Sequence, residues 1–154
     1  MNNFSTAFTL MAISNALDTF SGIIRYYPNQ TKEKTAAIAS SVLTGCAYVL
    51  SSCASDQIIQ VSNITWLKSY PIRSLIFFGS LVPLLYSLAT LKGKSFKQIK
   101  EKGQRFSLVI TFKNSVLFLS GCHKGRHLGV LNEVKPYANF ALTAQSLRFL
   151  GLFI

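Results

Sequence analysis

The amino-acid sequence predicts a mainly α fold: a small integral membrane protein built on a helical hairpin, with additional membrane or interfacial helices toward its N- and C-terminal ends. Three observations carry that expectation. Charged residues make up 14% of the chain and apolar residues 49%, whereas a soluble domain carries roughly 25% charge. Two uncharged stretches, 35–55 and 74–91, each approach the length of a membrane-crossing helix. The basic residues collect on the outer flanks of that pair rather than between its members. At 154 residues the chain is read as a single membrane domain, 1–154.

The first element, 6–24, is "TAFTLMAISNALDTFSGII". It is apolar but contains Asn15 and Asp18. An acid inside a membrane is costly and is a functional candidate by default; the alternative is an interfacial helix with Asp18 turned to water. No charged n-region precedes it, since the first basic residue is Arg25, so a cleavable signal peptide is not expected.

The second element, 35–55, reads "TAAIASSVLTGCAYVLSSCAS", with seven Ser or Thr in twenty-one residues. Hydroxyls can bond back to the preceding helical turn, which lowers the cost of their polarity. Ala37, Ser41 and Gly45 recur every four residues, with Ala36, Ser40 and Thr44 beside them. Such a small-residue stripe admits the close approach of another helix where lipid removes the hydrophobic drive. Ala37, Ser41 and Gly45 are therefore the helix-packing candidates.

The strongest apolar run is the third, 74–91, "SLIFFGSLVPLLYSLATL". Its length as a helix, about 27 Å, nears the roughly 30 Å of bilayer hydrocarbon, and membrane helices tolerate an internal residue such as Pro83. Trp66 and Tyr70 precede it, where an interfacial aromatic belt falls. Arg25, Lys32 and Lys34 lie before the second element. The basic loop 92–105, "KGKSFKQIKEKGQR", follows the third with six cations and one acid. The connection between the two carries only Lys68 and Arg73. By the positive-inside rule both flanks face the cytoplasm or a matrix-like compartment.

Within the basic loop, Ser95 and Gln98 have capping-box spacing and Gly103 suits a helix end. Lys94, Lys97, Lys100 and Lys102 surround an apolar side of Phe96, Ile99 and Phe106, a pattern suited to anionic lipid headgroups. The plainer alternative is a solvated loop that only sets topology. The next segment, "FSLVITFKNSVLFLSG" (106–121), has Lys113 at its centre and reads equally as a β-hairpin or as a helix with Lys113 snorkelling. The tail, 137–154, begins after a helix-compatible Pro136 and shows a Phe140, Ala144, Leu147, Gly151 stripe, with Arg148 placed to mark an interface.

Chemistry-bearing motifs are few. "GCHKGRHLG" (121–129) gathers Cys122, His123 and His127 with Lys124 and Arg126. Three glycines at four-residue spacing argue against a helix there, and zinc generally needs three or four protein ligands. No metal is expected, and Lys124 and Arg126 are candidates for a phosphate or lipid headgroup. The five acids are scattered, and no GxSxG, P-loop or GxGxxG occurs. The two strongest spans lack His, the usual haem ligand. No catalytic residue and no cofactor are expected, and the chain is read as no enzyme. The three cysteines show no CxxC pair.

The resulting expectation is a structural or accessory subunit of a membrane complex. Its partners would be other membrane helices, in a homo- or hetero-oligomer, together with anionic headgroups. One alternative is a small ion or solute conduit with Asn15, Asp18 and the hydroxyl-rich face of 35–55 along a polar path. Another is a peripheral basic protein binding anionic lipid or nucleic acid, although low charge with high apolar content argues against nucleic acid. A translated frame without selected function is also basic, acid-poor and apolar. An organelle inner membrane or the endoplasmic reticulum fits the composition equally.

Overall fold

The computed structural model describes residues 2–26 and 32–152. Among them there are five helices and no strand: α1 (Asn3–Tyr26), α2 (Glu33–Gln60), α3 (Tyr70–Ala89), α4 (Phe96–His127) and α5 (Leu131–Leu152). Three of them, α1, α2 and α3, are long and apolar enough to cross a membrane. The last two residues of the tail read as 137–154 lie outside the described residues.

Local chemistry explains the helix boundaries. The Asn2 side-chain oxygen accepts from Ser5 N at 2.7 Å and caps α1. The capping box expected at the start of the basic segment is present: Ser95 Oγ accepts from Gln98 N, and Gln98 Oε1 accepts from Ser95 N. Gly103 does not end this helix. α4 continues through it for 32 residues, so the basic segment is a loop only as far as Ser95. The reading of 106–121 as a β-hairpin is likewise replaced by continuous helix.

The glycines of 121–129 also behave differently from expectation. Gly121 and Gly125 are helical, and only Gly129 breaks the chain, at φ +74. Val130 N donates to Gly125 O at 2.9 Å and Gly129 N to Arg126 O at 3.2 Å, the two bonds of a Schellman turn. That reversal starts α5 at Leu131, ahead of Pro136, which sits inside the helix.

Successive helices alternate in direction. On α1 and α2, Ser14 meets Ala47 while Ser21 meets Ser40. On α1 and α4, Phe8 lies near Gly121, Asn15 near Asn114 and Arg25 near Gly103. On α1 and α5, Asn15 pairs with Gln145 and Asp18 with Arg148, so these two helices are parallel. The result is a four-helix bundle of α1, α2, α4 and α5 with α1 touching the other three; α3 leans on α2 from outside, with Ser87 its one buried residue.

One end of the bundle holds eight Lys and Arg, in 32–34 and 92–105, against Glu33 and Glu101. The other holds five, among 68–73 and 124–135, and one of these, Arg73, is paired to Asp56 at 2.9 Å.

Polarity in this bundle runs opposite to that of a soluble one. On α4, Ser107, Thr111 and Asn114 point inward while Leu108, Val109, Phe112, Val116 and Leu119 point outward. On α1, Ser14, Asn15, Asp18 and Ser21 are buried and Ile13, Phe20 and Ile23 are exposed. On α5 the buried line is Val134, Ala138, Ala141, Ala144, Gln145 and Arg148. Phe140 and Leu147 of the expected stripe face out, and Arg148 faces in. An apolar plug of Phe4, Phe8, Met11, Ile58 and Leu117 fills the interior at the less basic end.

Candidate functional site

The interior between that plug and the basic end is a continuous polar seam to which all four bundle helices contribute. Asp18 lies at its centre, fully buried. Its Oδ2 accepts from Arg148 Nε at 2.6 Å and, more distantly, from Thr111 Oγ1 at 3.5 Å. The Arg148 guanidinium also donates to Ser107 Oγ. The interfacial-helix alternative, with Asp18 turned to water, is thus replaced by a carboxylate sealed inside the bundle.

One turn toward the plug, amides take over. Asn15 Nδ2 donates to Gln145 Oε1 at 2.5 Å, and Asn114 Nδ2 donates to Asn15 Oδ1 at 3.0 Å and to Ser14 Oγ at 3.1 Å. Ser51 Oγ donates to Asn114 Oδ1 at 2.7 Å, tying in α2. Gln145 Nε2 reaches Ser115 Oγ at 2.7 Å and the Thr111 carbonyl at 3.2 Å. A buried amide left without partners costs about 1–3 kcal/mol, so this reciprocal pairing is what allows so many amides to be enclosed.

Toward the basic end, Arg25 is 4% exposed and donates through Nη2 to Ser21 Oγ at 2.9 Å and Thr44 Oγ1 at 3.1 Å. Gly103 of α4 packs on it: a Cβ there would stand 3.4 Å from Arg25 Nε. Helix α4 thus brings its backbone at Gly103 against the guanidinium. Two buried polar atoms of the seam have no hydrogen-bond partner, Asp18 Oδ1 and Arg25 Nε. The seam contains two guanidinium groups and one carboxylate, so its formal charge is positive. Arg25 Nε, a donor, can hold a small anion or water, whereas Asp18 Oδ1, an acceptor, can be met by water.

The sequence-derived candidates distribute unevenly over this architecture. Asn15 and Asp18 lie together in the seam, alongside Ser40, Thr44 and Ser51 of the hydroxyl-rich helix. Ala37 is buried, whereas Ser41 and Gly45 line an open groove between α2 and α3, where a Cβ on Gly45 would meet Leu84 at 4.0 Å. Lys94 and Lys97 are exposed; Lys100 approaches Glu33 at 3.9 Å. Lys102 Nζ donates to Thr90 Oγ1 at 2.7 Å and to the Ser87 carbonyl at 3.3 Å, closing α4 onto the end of α3. Lys124 and Arg126 stand on the last turn of α4, at the opposite end of the bundle, and form no common site with the other lysines.

Lys113 does not snorkel to an end. Its ammonium donates to Ser52 Oγ at 3.0 Å and sits 5.1 Å from the Tyr48 ring centroid. Among the described residues no group of three His, Cys, Asp or Glu is placed to hold a metal ion.

Sequence reasoning missed Arg25, Ser107, Thr111, Asn114, Gln145 and Arg148 as parts of one site. A signal was present in the polar spacing 107, 111, 114 on α4 and in the pair 145, 148 on α5, both helical periods. Neither marks a site until the helices are brought together. Comparison with protein-family models, with curated proteins and with solved structures finds no match to this chain.

Proposed function

We propose that this chain is a small integral membrane protein whose polar seam conducts or carries a small anion. One observation carries the reading: Arg25 and Arg148 are both buried, yet Asp18 is the one carboxylate in the seam with them. Ionisable groups inside a membrane bundle are expensive and mark ion or solute paths more often than they serve packing. The apolar exterior of α1, α2 and α3, continued on the outward side of α4 by Leu108, Val109, Phe112, Val116 and Leu119, suits a lipid surround. The eight-cation end faces the cytoplasm or a matrix-like compartment by the positive-inside rule, and Asp18 and Arg148 lie at membrane depth. The plug of Phe4, Phe8 and Met11 closes the far end, so passage requires that these side chains swing aside.

The test is anion efflux from sealed vesicles containing the purified full chain, read with a chloride electrode. Efflux above that of protein-free vesicles is expected, and Arg25→Gln should abolish it while the variant still inserts. Efflux no greater than that of protein-free vesicles would remove the reading. A second reading, a structural subunit that packs on another membrane helix, is favoured by Ser41 and Gly45 standing open in the α2–α3 groove. It predicts that Gly45→Leu weakens co-purification with a partner.

A further inference from the structure

Helices α2 and α3 are pinned together along one half of their length and splayed along the other. On the pinned half Arg73 grips the Asp56 carboxylate through two nitrogens, at 2.9 and 3.1 Å, and Ser80 Oγ donates to Ser52 Oγ at 3.1 Å. The last clamp is Tyr48, whose hydroxyl donates to the Ser80 carbonyl at 2.5 Å. Beyond it the helices part and leave a groove of about 720 Å³ with an almost wholly apolar wall. Ile38, Val42, Leu84, Leu88 and Ile99 form its sides and Gly45 its floor.

From Ile38 to Leu50 the groove runs about 18 Å along α2. It begins at the basic end of the bundle and stops near mid-depth. A partner transmembrane helix packed along its whole length needs roughly 30 Å; this seat admits one only as a short crossing contact, whereas its length matches one leaflet. Lys102 lines the recess that shares Leu88, Leu91 and Ile99 with the groove, and the exposed Lys94 lies beside it. Lys102 uses two of its three N–H donors on Ser87 and Thr90 and keeps one for a ligand.

We propose that the α2–α3 groove holds an acyl chain of an anionic phospholipid, with its phosphate against Lys102 and Lys94. The occupant matches the groove in three respects: an apolar tail for the wall, one leaflet's length, and a negative head at the cationic end. A zwitterionic lipid offers the same tail but gains nothing net at the two ammonium groups. Gly45 is required as the floor because any larger side chain projects into the tail's path. A narrow recess of about 40 Å³ continues inward from the groove under Lys102 to Thr44 and Gly103, both of which touch Arg25. The bound head therefore lies on the route between the basic surface and the polar seam. The assignment rests on membrane insertion and is independent of anion transport, so an absence of chloride efflux leaves it standing.

The experiment uses the full chain in lipid nanodiscs carrying a trace of phosphatidylglycerol or phosphatidylcholine with a photoreactive group midway along one acyl chain. Crosslinked positions are mapped by mass spectrometry. The phosphatidylglycerol probe should label Val42 and Leu88 more than the phosphatidylcholine probe does, by about fivefold for each lysine engaged. Lys102→Gln should lower the phosphatidylglycerol label alone, and Gly45→Leu should clear the groove of both probes. In the unaltered chain the preference should also shrink as salt is raised, a readout that needs no variant. Equal labelling by the two probes would overturn the assignment. So would labelling spread evenly over the outward faces of α1, α4 and α5, or a groove shielded from both probes by a second copy of the chain or another protein.

Discussion

Arg148 Nε lies 2.6 Å from Asp18 Oδ2, an ion pair between residues 130 positions apart that ties the last helix to the first. Both side chains are sealed, at 5% and 0% exposure. Removing one member of such a pair strands the other as an uncompensated charge, which typically costs about 3–5 kcal/mol, whereas removing both together is far cheaper. Asp18→Asn and Arg148→Met should each lower the unfolding midpoint in detergent sharply. The double variant should recover most of that loss. A double variant as unstable as the sum of the two singles would mean that they act independently and would contradict the pairing.

Gly121 and Gly22 provide a matched contrast. A methyl group on Gly121 would come within 3.1 Å of the Phe8 ring and 3.3 Å of Ile58 Cδ1, while one on Gly22 would meet nothing within 4 Å. Phe8 is fully buried and stacked edge-on to Phe118 at 5.8 Å, so it has little room to yield. Gly121→Ala should therefore destabilise by about 1–3 kcal/mol through overpacking. Gly22→Ala should stabilise by about 0.5–1 kcal/mol through helix propensity. Thermal unfolding in one detergent compares the two directly, and equal effects would contradict the α1–α4 contact.

The alternating helix directions predict opposite sidedness for Lys94 and Lys68. In a chain whose three cysteines are replaced by alanine, Lys94→Cys and Lys68→Cys should react with an impermeant thiol reagent from opposite faces of sealed vesicles. The chain should also stay in the membrane pellet after alkaline carbonate extraction. Release into the supernatant, or both cysteines labelled from one face, would break the topology.

Most of the helical architecture was legible from residue patterns because each rule involved is local. The Ser95–Gln98 capping box is a relation across three residues, and the apolar length of 74–91 is a property of one segment. Reading failed where a local rule met a long-range contact. Gly103, Gly121 and Gly125 looked like helix breakers but are helical. Gly121 makes room for Phe8, 3.1 Å from where a Cβ would stand, while Gly103 and Gly125 lie at ordinary contact distance from Arg25 and Leu131. The segment 106–121 read equally as a hairpin or as a helix because Lys113 sits at its centre; Ser52 and Tyr48, from another helix, supply that ammonium with partners.

The same division holds for the candidate site. By itself the sequence determined the helical class, the spans' apolar lengths, the basic asymmetry, and the suspicion attached to Asn15 and Asp18, since these depend on composition and period along the chain. Only the tertiary structure decided that Asp18 faces Arg148, that Asn114 joins Ser51 to Asn15, and that Arg25 shares their interior. The physical reason is that a buried polar group must find its partner in space. In this bundle the partners lie on other helices, up to 130 residues away, where no periodicity within one segment can reveal them.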